Sequence, residues 1–235
     1  MSIEHEEQSA AGRRRSATRL SRAQVVDAAI ALADREGLGA VSMRRLAGDL
    51  GVVPMALYKH VADKNDLVAA MIDRVVADYP RPTAGAPWRE AVRTRVLGAR
   101  DALLLHPWLR PAIESATDRT PVILGYMDAL VGDLVGSGFS YDLAHHAMHA
   151  LGHRIWGFSP EAFSAPPTRN APEEGQPDPD QLAALARAFP HIAGVAAEQE
   201  RRHPGGCDEQ FEFAFTLDLM LEAFDRLRSA GWKSG

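Results

Sequence analysis

The sequence predicts an all-α fold, with an N-terminal three-helix helix-turn-helix domain followed by a larger helical body, and three observations carry this. Apolar residues recur at helical spacing between successive turn signals, from Val25 to Phe224. No segment alternates apolar and polar residues as a half-buried strand would, and no internal repeat of about 20–50 residues appears. Charge is also uneven. Residues 11–64 hold ten Lys or Arg against five acids, whereas residues 65–235 hold sixteen against twenty-three, within a net charge of −5. A basic head on an acidic body suits a polyanionic partner at one end only.

Residues 1–19 lack apolar periodicity and are expected to form a mobile arm that turns basic at Arg13, Arg14 and Arg15. That run serves either as a solubilising tail or as an arm entering a minor groove. Ser21 can cap a first helix through Val25, Val26, Ala29, Ile30 and Leu32, and Gly37 is placed to end it. Ser42 opens a second short helix through Met43, Leu46, Ala47 and Leu50, which Gly51 stops. Pro54 suits the first turn of a third helix running to about Val61. Asp63 with Asp66 then looks like the cap of a fourth, in which Leu67, Ala70, Met71, Val75 and Val76 keep helical spacing.

Tyr79–Pro87, YPRPTAGAP, cannot be regular helix and is the expected hinge. Beyond it, helices are expected at Trp88–His106, from Pro107 to about Ala116, at Pro121–Val135 and at Tyr141–Phe158. Ser159–Pro179 reads as a loop, and two further helices follow, Asp180–Gln199 and Asp208–Arg228. The expected division is an arm at 1–19, a small helical domain at 20–66 and a larger helical domain at 67–235.

At 235 residues and 46% hydrophobic content the chain can fill a substantial core. No apolar run reaches the length of a bilayer, and MSIEHEEQSAAGRRR is charged where a signal peptide would be apolar, so a cytoplasmic protein with no membrane association is expected. The only cysteine, Cys207, leaves no intramolecular disulfide and no Cys-rich zinc finger; it reads as a small packing residue. There is no His-Glu-x-x-His, nucleophile elbow, phosphate loop or dinucleotide fingerprint. An enzyme is therefore not expected, a helical enzyme with no recognised motif being the distant alternative, and no cofactor is implied.

The informative segment is Val41–Lys64, VSMRRLAGDLGVVPMALYKHVADK. Two short helices crossing steeply need a small residue at their approach and a turn-former between them, which Ala47 and Gly51 supply. With Leu46, Leu50, Val52, Leu57 and Val61 packed inward, Arg44, Pro54, Met55, Tyr58, Lys59 and His60 face outward. That is a mixture of phosphate-binding, base-edge and apolar groups suited to a major groove, packing of the small domain being the lesser alternative for Tyr58 and His60.

This segment closely resembles the tetracycline-repressor (TetR) family of transcriptional regulators. Their string T-x-R-x-L-A-x-x-L-G-V-x-x-x-x-L-Y-x-H-V-x-x-K matches Arg44, Leu46, Ala47, Leu50, Gly51, Val52, Leu57, Tyr58, His60, Val61 and Lys64 without gaps. A looser likeness continues through the Trp88–His106 helix, Gly138-Phe139-Ser140 and Leu151-Gly152-His153. The resemblance implies a homodimer that binds a near-palindromic double-stranded DNA operator with its heads and a small-molecule effector with its body, acting as a repressor, with an activator or a ligand-independent regulator as the alternative. It makes Arg44 a base-reading residue, Tyr58 and His60 contacts of the recognition helix, and Lys64 a phosphate clamp. Pro54 and Met55 depart from the family's Gln and Pro in that helix, so operator sequence does not carry over; Met55 can instead touch a thymine methyl.

Arg95, His106, Ile113, His149, His153 and Trp156 are the candidate effector contacts, polar anchors among aromatic walls of the kind that suit a small hydrophobic or aromatic molecule. Ile113 falls where tetracycline-binding members of the family carry a metal-binding histidine, which argues against tetracycline. His145, His149 and His153 recur at i, i+4 and i+8, with His146 beside them. Such spacing permits a metal site, but packing or hydrogen bonding at a dimer seam or pocket is the preferred reading, and no metal is assigned. For dimerisation, Phe211, Phe215, Leu217, Leu219, Met220, Leu221 and Phe224 offer one apolar surface, and Leu143, Met148, Leu151 and Ile155 the other.

Overall fold

The fold follows these signals closely. The computed structural model describes residues 20–116, 119–156, 179–202 and 208–235. The basic arm, the expected loop segment from Ser159 up to Pro179, and Cys207 lie outside the described residues, among which there is no strand. None of the described helices is long and apolar enough to cross a membrane.

α1 (Arg22–Glu36) starts at a capping box: the Ser21 hydroxyl accepts from the Gln24 amide and the Gln24 side chain accepts from the Ser21 amide. These bonds satisfy two of the four amides a helix start leaves orphaned. Gly37 ends the helix at φ +82°, a conformation an L side chain rarely adopts. After a 3-10 turn at Leu38–Ala40, Ser42 caps α2 (Met43–Asp49). Gly51, at φ +66°, turns the chain into α3 (Pro54–Leu57), which has proline in its first turn. Regular helix ends there, four residues short of the expected Val61. Tyr58–His60 continue as turns in which the Val61 amide still reaches the Leu57 carbonyl at 3.0 Å. Asp63 caps α4 (Lys64–Ala77) by accepting from the Asp66 amide.

Tyr79–Pro87 forms no helix, as expected. α5 (Trp88–Leu105), α6 (Leu109–Ser115), α7 (Pro121–Val135) and α8 (Tyr141–Trp156) follow. The expected Asp180–Gln199 helix is in fact two, α9 (Pro179–Ala188) and α10 (Pro190–Arg202), because Pro190 lacks the amide that would continue the ladder and its ring collides with the preceding turn. α11 (Glu209–Ser229) is capped by Asp208, whose carboxylate accepts from the Gln210 and Phe211 amides.

The described residues group into two compact units. One comprises the chain to Tyr79 together with Asp101–Tyr126. Its core joins Val25, Ala29 and Leu32 of α1 to Leu46, Leu57, Leu67, Met71 and Ile72, all at most 1% exposed. Burying such side chains is worth about 1.5–3 kcal/mol each against leaving them in water. The other unit comprises Pro80–Arg100 with Met127–Gly235, centred on Val92, Val96, Leu134, Leu151, Phe213 and Leu217. There α5 is tied to α11 by Arg89–Asp225 at 2.8 Å and Arg93–Asp218 at 2.9 Å. Gly98 permits the close approach of Pro80: a Cβ on Gly98 would lie 2.5 Å from the proline Cδ.

The apolar surfaces expected on the last helix and on α8 separate by phase. Phe213, Leu217, Leu221 and Phe224 are interior, as are Leu143, Leu151 and Ile155. Phe211, Phe215 and Leu219 lie on the opposite side of α11, each about half exposed, and the two phenyl rings stack at 6.2 Å. With 3.6 residues per turn, positions 213, 217 and 221 share one stripe and 211, 215 and 219 another.

Candidate nucleic-acid interface

Gly51 and the short α3 decide which side chains leave the domain. Because Leu46, Leu57 and Val61 are buried, the intervening positions must point out: Val53 is 68% exposed, Met55 71% and Tyr58 47%. Arg44, Pro54, Lys59 and Lys64 are exposed as well, and His60 is half-buried. Among the described residues of the head, 20–79, Val53, Met55 and Tyr58 are the large apolar groups left exposed, and they lie within six positions of one another.

Cations of the head sort into two classes. Arg22, Arg35, Arg45 and Arg74 are each committed to a carboxylate, with Asp66, with Asp49, with Glu36 and Asp49, and with Asp27 and Asp78 respectively. Among the described residues Arg44, Lys59 and Lys64 form no ion pair and no side-chain hydrogen bond. A phosphate-binding cation must be available to its ligand, and these three, which the sequence also singles out, are the ones the fold leaves available.

A clasp fixes the end of the recognition segment. Arg22, at the start of α1, donates to both oxygens of Asp66 at 2.7 and 3.1 Å and also to the His60 carbonyl. Asp66 accepts in addition from the Ala62 amide at 2.7 Å. The Arg22 guanidinium first, and the Ala62 amide second, hold the Asp66 carboxyl below the ordinary carboxylate range. The segment Tyr58–Asp63 is thus bound to both α1 and α4. Sequence reasoning assigned Asp66 to a helix cap and missed this role, because the partner lies 44 residues away.

Within the same unit, residues 101–126 are bound to the head helices by polar contacts. The Trp108 indole donates to Asp34 Oδ1 at 2.6 Å, and His106 Nδ1 faces the same oxygen at 2.7 Å. Trp108 is 3% exposed, so its N–H has little access to water. The Thr120 hydroxyl bonds Asp73 on α4, and Tyr79 meets Tyr126 edge-on at 5.3 Å. Burial pushes the Tyr79 phenol well above its ordinary value, keeping it neutral.

The candidate effector residues are distributed between the units. His106, as described, is engaged with Asp34, and Ile113 is half-buried on α6. In the other unit Arg95 is paired with Asp133 at 2.6 Å, both largely buried. His149 and His153 are exposed on α8, and the Trp156 side chain lies outside the described residues. The sequence reading passed over Arg100 and placed Arg154 only among the polar groups of a possible pocket. Arg100 is 5% exposed, and the two guanidiniums lie 4.7 and 4.3 Å from the Phe213 ring centroid. Burial first, and the charge of Arg100 second, lower the pKa of Arg154. Elsewhere in the same unit Trp88 and Phe139 meet edge-on at 4.8 Å.

Comparison with known proteins places these features. Residues 25–71 match the family model described as bacterial regulatory proteins, tetR family, and residues 80–226 match that of the tetracyclin repressor-like C-terminal domain. An HTH-type transcriptional repressor of Streptomyces coeruleorubidus is 36% identical over 113 residues, 46% of this chain and 41% of that protein. The class D tetracycline repressor protein of Escherichia coli is 32% identical over 149 residues, 59% of this chain and 65% of the relative. The chain therefore spans only about half the length of the curated relatives it matches. Among solved structures, a TetR transcriptional regulator from Streptomyces coelicolor is similar over 89% of this chain and 99% of its own, with 26% identity and a TM-score of 0.66.

Proposed function

As the chain belongs to the TetR family of bacterial regulatory proteins, we propose that it is a cytoplasmic, ligand-responsive transcriptional repressor that binds DNA through residues 20–66 and an effector through residues 67–235. The observation that carries this is the sorting of cations on the head. Arg44, Lys59 and Lys64 stand uncommitted among the described residues beside exposed Met55 and Tyr58, while the neighbouring arginines are spent on carboxylates.

In the proposed mechanism two copies present their recognition segments to successive major grooves of a near-palindromic operator, about 34 Å apart or a multiple of it. Arg44 offers a bidentate fork to guanine, Met55 an apolar contact to a thymine methyl, and Tyr58, Lys59 and His60 line the groove. Lys64 neutralises a phosphate, as does the segment 13–15 if it enters the minor groove. The effector, a small hydrophobic or aromatic molecule, acts by preferring the arrangement in which the two heads no longer match the operator spacing. DNA affinity then falls by thermodynamic linkage. Asp34 and Asp73, which hold residues 101–126 against α1 and α4, are the contacts through which a shift of that segment reaches the head.

Selection of bound duplexes from a random pool by the purified protein tests this reading. An enriched inverted repeat whose mobility shift is lost in Arg44→Ala supports it. Failure to enrich any motif at low ionic strength overturns it.

A further inference from the structure

The recognition segment carries an apolar run that the cations around it do not explain. From Val52 to Leu57, VVPMAL, no side chain offers a hydrogen-bond donor or a strong acceptor. Much of the backbone there is spent as well. The Val52 amide donates to the Ala47 carbonyl at 2.9 Å, the Val53 carbonyl accepts from the Ala56 amide at 2.9 Å, and Pro54 has no amide to give. Yet only Leu57 of the run is buried, and Val53 and Met55 are the two most exposed large apolar side chains of the head, both more open than Tyr58.

The chemistry of the major groove limits what such a run can read. Of the features that distinguish base pairs there, the C5-methyl of thymine is the apolar one; the others are hydrogen-bond donors and acceptors, which these side chains leave unmatched. Val53 is β-branched and stiff at χ1, so seating it against a methyl group orders little, and Met55, unbranched and polarizable, fills an irregular contour. Residues two apart have Cα atoms at most about 7 Å from one another, about two base-pair steps of about 3.4 Å. A protein partner fits the surroundings less well than DNA does. Arg44, Lys59 and Lys64 flank the patch without a carboxylate partner among the described residues, which suits a polyanion.

We infer that Val53 and Met55 together read two 5-methylpyrimidines in each operator half-site, on adjacent or alternate base pairs, with Val53 as a further specificity-determining residue. The inference rests on the DNA-binding reading above and specifies what the first turn of α3 recognises. A surface that reads the methyl group, and not the thymine O4 atom, also favours 5-methylcytosine over cytosine at the same positions.

Fluorescence anisotropy on a selected operator duplex tests this, with each thymine of the half-site replaced in turn by deoxyuridine, which lacks only the C5-methyl. Replacement at two positions no more than about two steps apart should weaken binding about three- to fivefold each, the loss expected of one buried methyl group. Because no charge is involved, that ratio should be the same at about 50 and about 200 mM salt while the affinity itself falls. With cytosine at those positions, C5-methylation should strengthen binding by a similar factor. Val53→Ala should reduce the deoxyuridine effect at one position below about twofold, and Met55→Ala at the other. Both side chains are exposed, so the variants should retain the melting behaviour of the parent. A half-site without two thymines so spaced, deoxyuridine losses all under about 1.5-fold, or losses unchanged in both variants would overturn the methyl reading while leaving operator binding intact. A protein that enriches no duplex at all would overturn both.

Discussion

Removing Asp66 puts the clasp at the end of the recognition segment to a direct test. The carboxylate does two things: it pairs with both terminal nitrogens of Arg22, and it accepts from the Ala62 amide. The ion pair is exposed, with side chains 48% and 33% accessible, and such pairs are worth about 0.2–1 kcal/mol. A hydrogen bond from an amide to a carboxylate is worth about 1.5–3 kcal/mol when buried; a third of this side chain is exposed, so about half that range applies. Asp66→Ala should therefore cost about 1–2.5 kcal/mol, and Asp66→Asn, which keeps an acceptor for Ala62, about half as much. Urea unfolding followed by far-UV dichroism measures both. Because the folded pKa is depressed, the contribution is fully present above the unfolded value, near 4, and is lost as pH falls through the folded value. The wild-type advantage over Asp66→Ala should thus be constant at neutral pH and shrink in acid below about pH 4. If Asp66→Ala unfolded within about 0.3 kcal/mol of wild type, or the difference persisted undiminished in strong acid, the clasp would be wrong.

Three further outcomes are expected. Gly98→Ala places a Cβ 2.5 Å from the Pro80 ring, which is not the flexible end of a side chain, so stability should fall by about 1–3 kcal/mol in denaturant titration; an unchanged midpoint would show that the linker does not pack there. Gly51→Ala meets no neighbour within 4 Å, so its cost should be that of the positive φ alone, about 1 kcal/mol in the same assay, and Gly51→Asn should recover part of it. Asp34→Ala leaves the buried Trp108 indole without its acceptor and should cost about 1–3 kcal/mol, whereas Trp108→Leu with Asp34→Ala should cost less than the two single changes summed; strict additivity would mean that the pair is not coupled.

Much of the architecture was legible because it is written in local chemistry. Ser21, Ser42, Asp63 and Asp208 cap the helices they precede, Gly37 and Gly51 take positive φ, and Pro54 and Pro121 stand at the first helical positions. Each is a short-range rule with a strong energetic preference. Pro190 was also visible in the sequence, and the expected single helix across it gave the apolar spacing more weight than the missing amide. What periodicity could not show is long-range pairing. Arg45 and Arg44 are adjacent and chemically identical, yet one is held by Glu36 and Asp49 and the other is not. Nothing local marks Asp34 as the acceptor for groups 72 and 74 residues away. The same limit merged the two stripes of α11, since an apolar residue at every second or third position fits an inner and an outer face equally until the neighbours are in place.

The central claim, that the uncommitted cations of the head grip DNA, is tested most directly by fluorescence anisotropy of a labelled, selected operator duplex titrated at several salt concentrations. Lys64→Ala is expected to weaken binding to all sequences alike and to reduce the slope of log affinity against log salt by about 1, while Arg44→Ala costs about 1–3 kcal/mol on the selected site and little on unrelated duplexes. Wild-type affinity and wild-type salt slope in both variants would contradict the account.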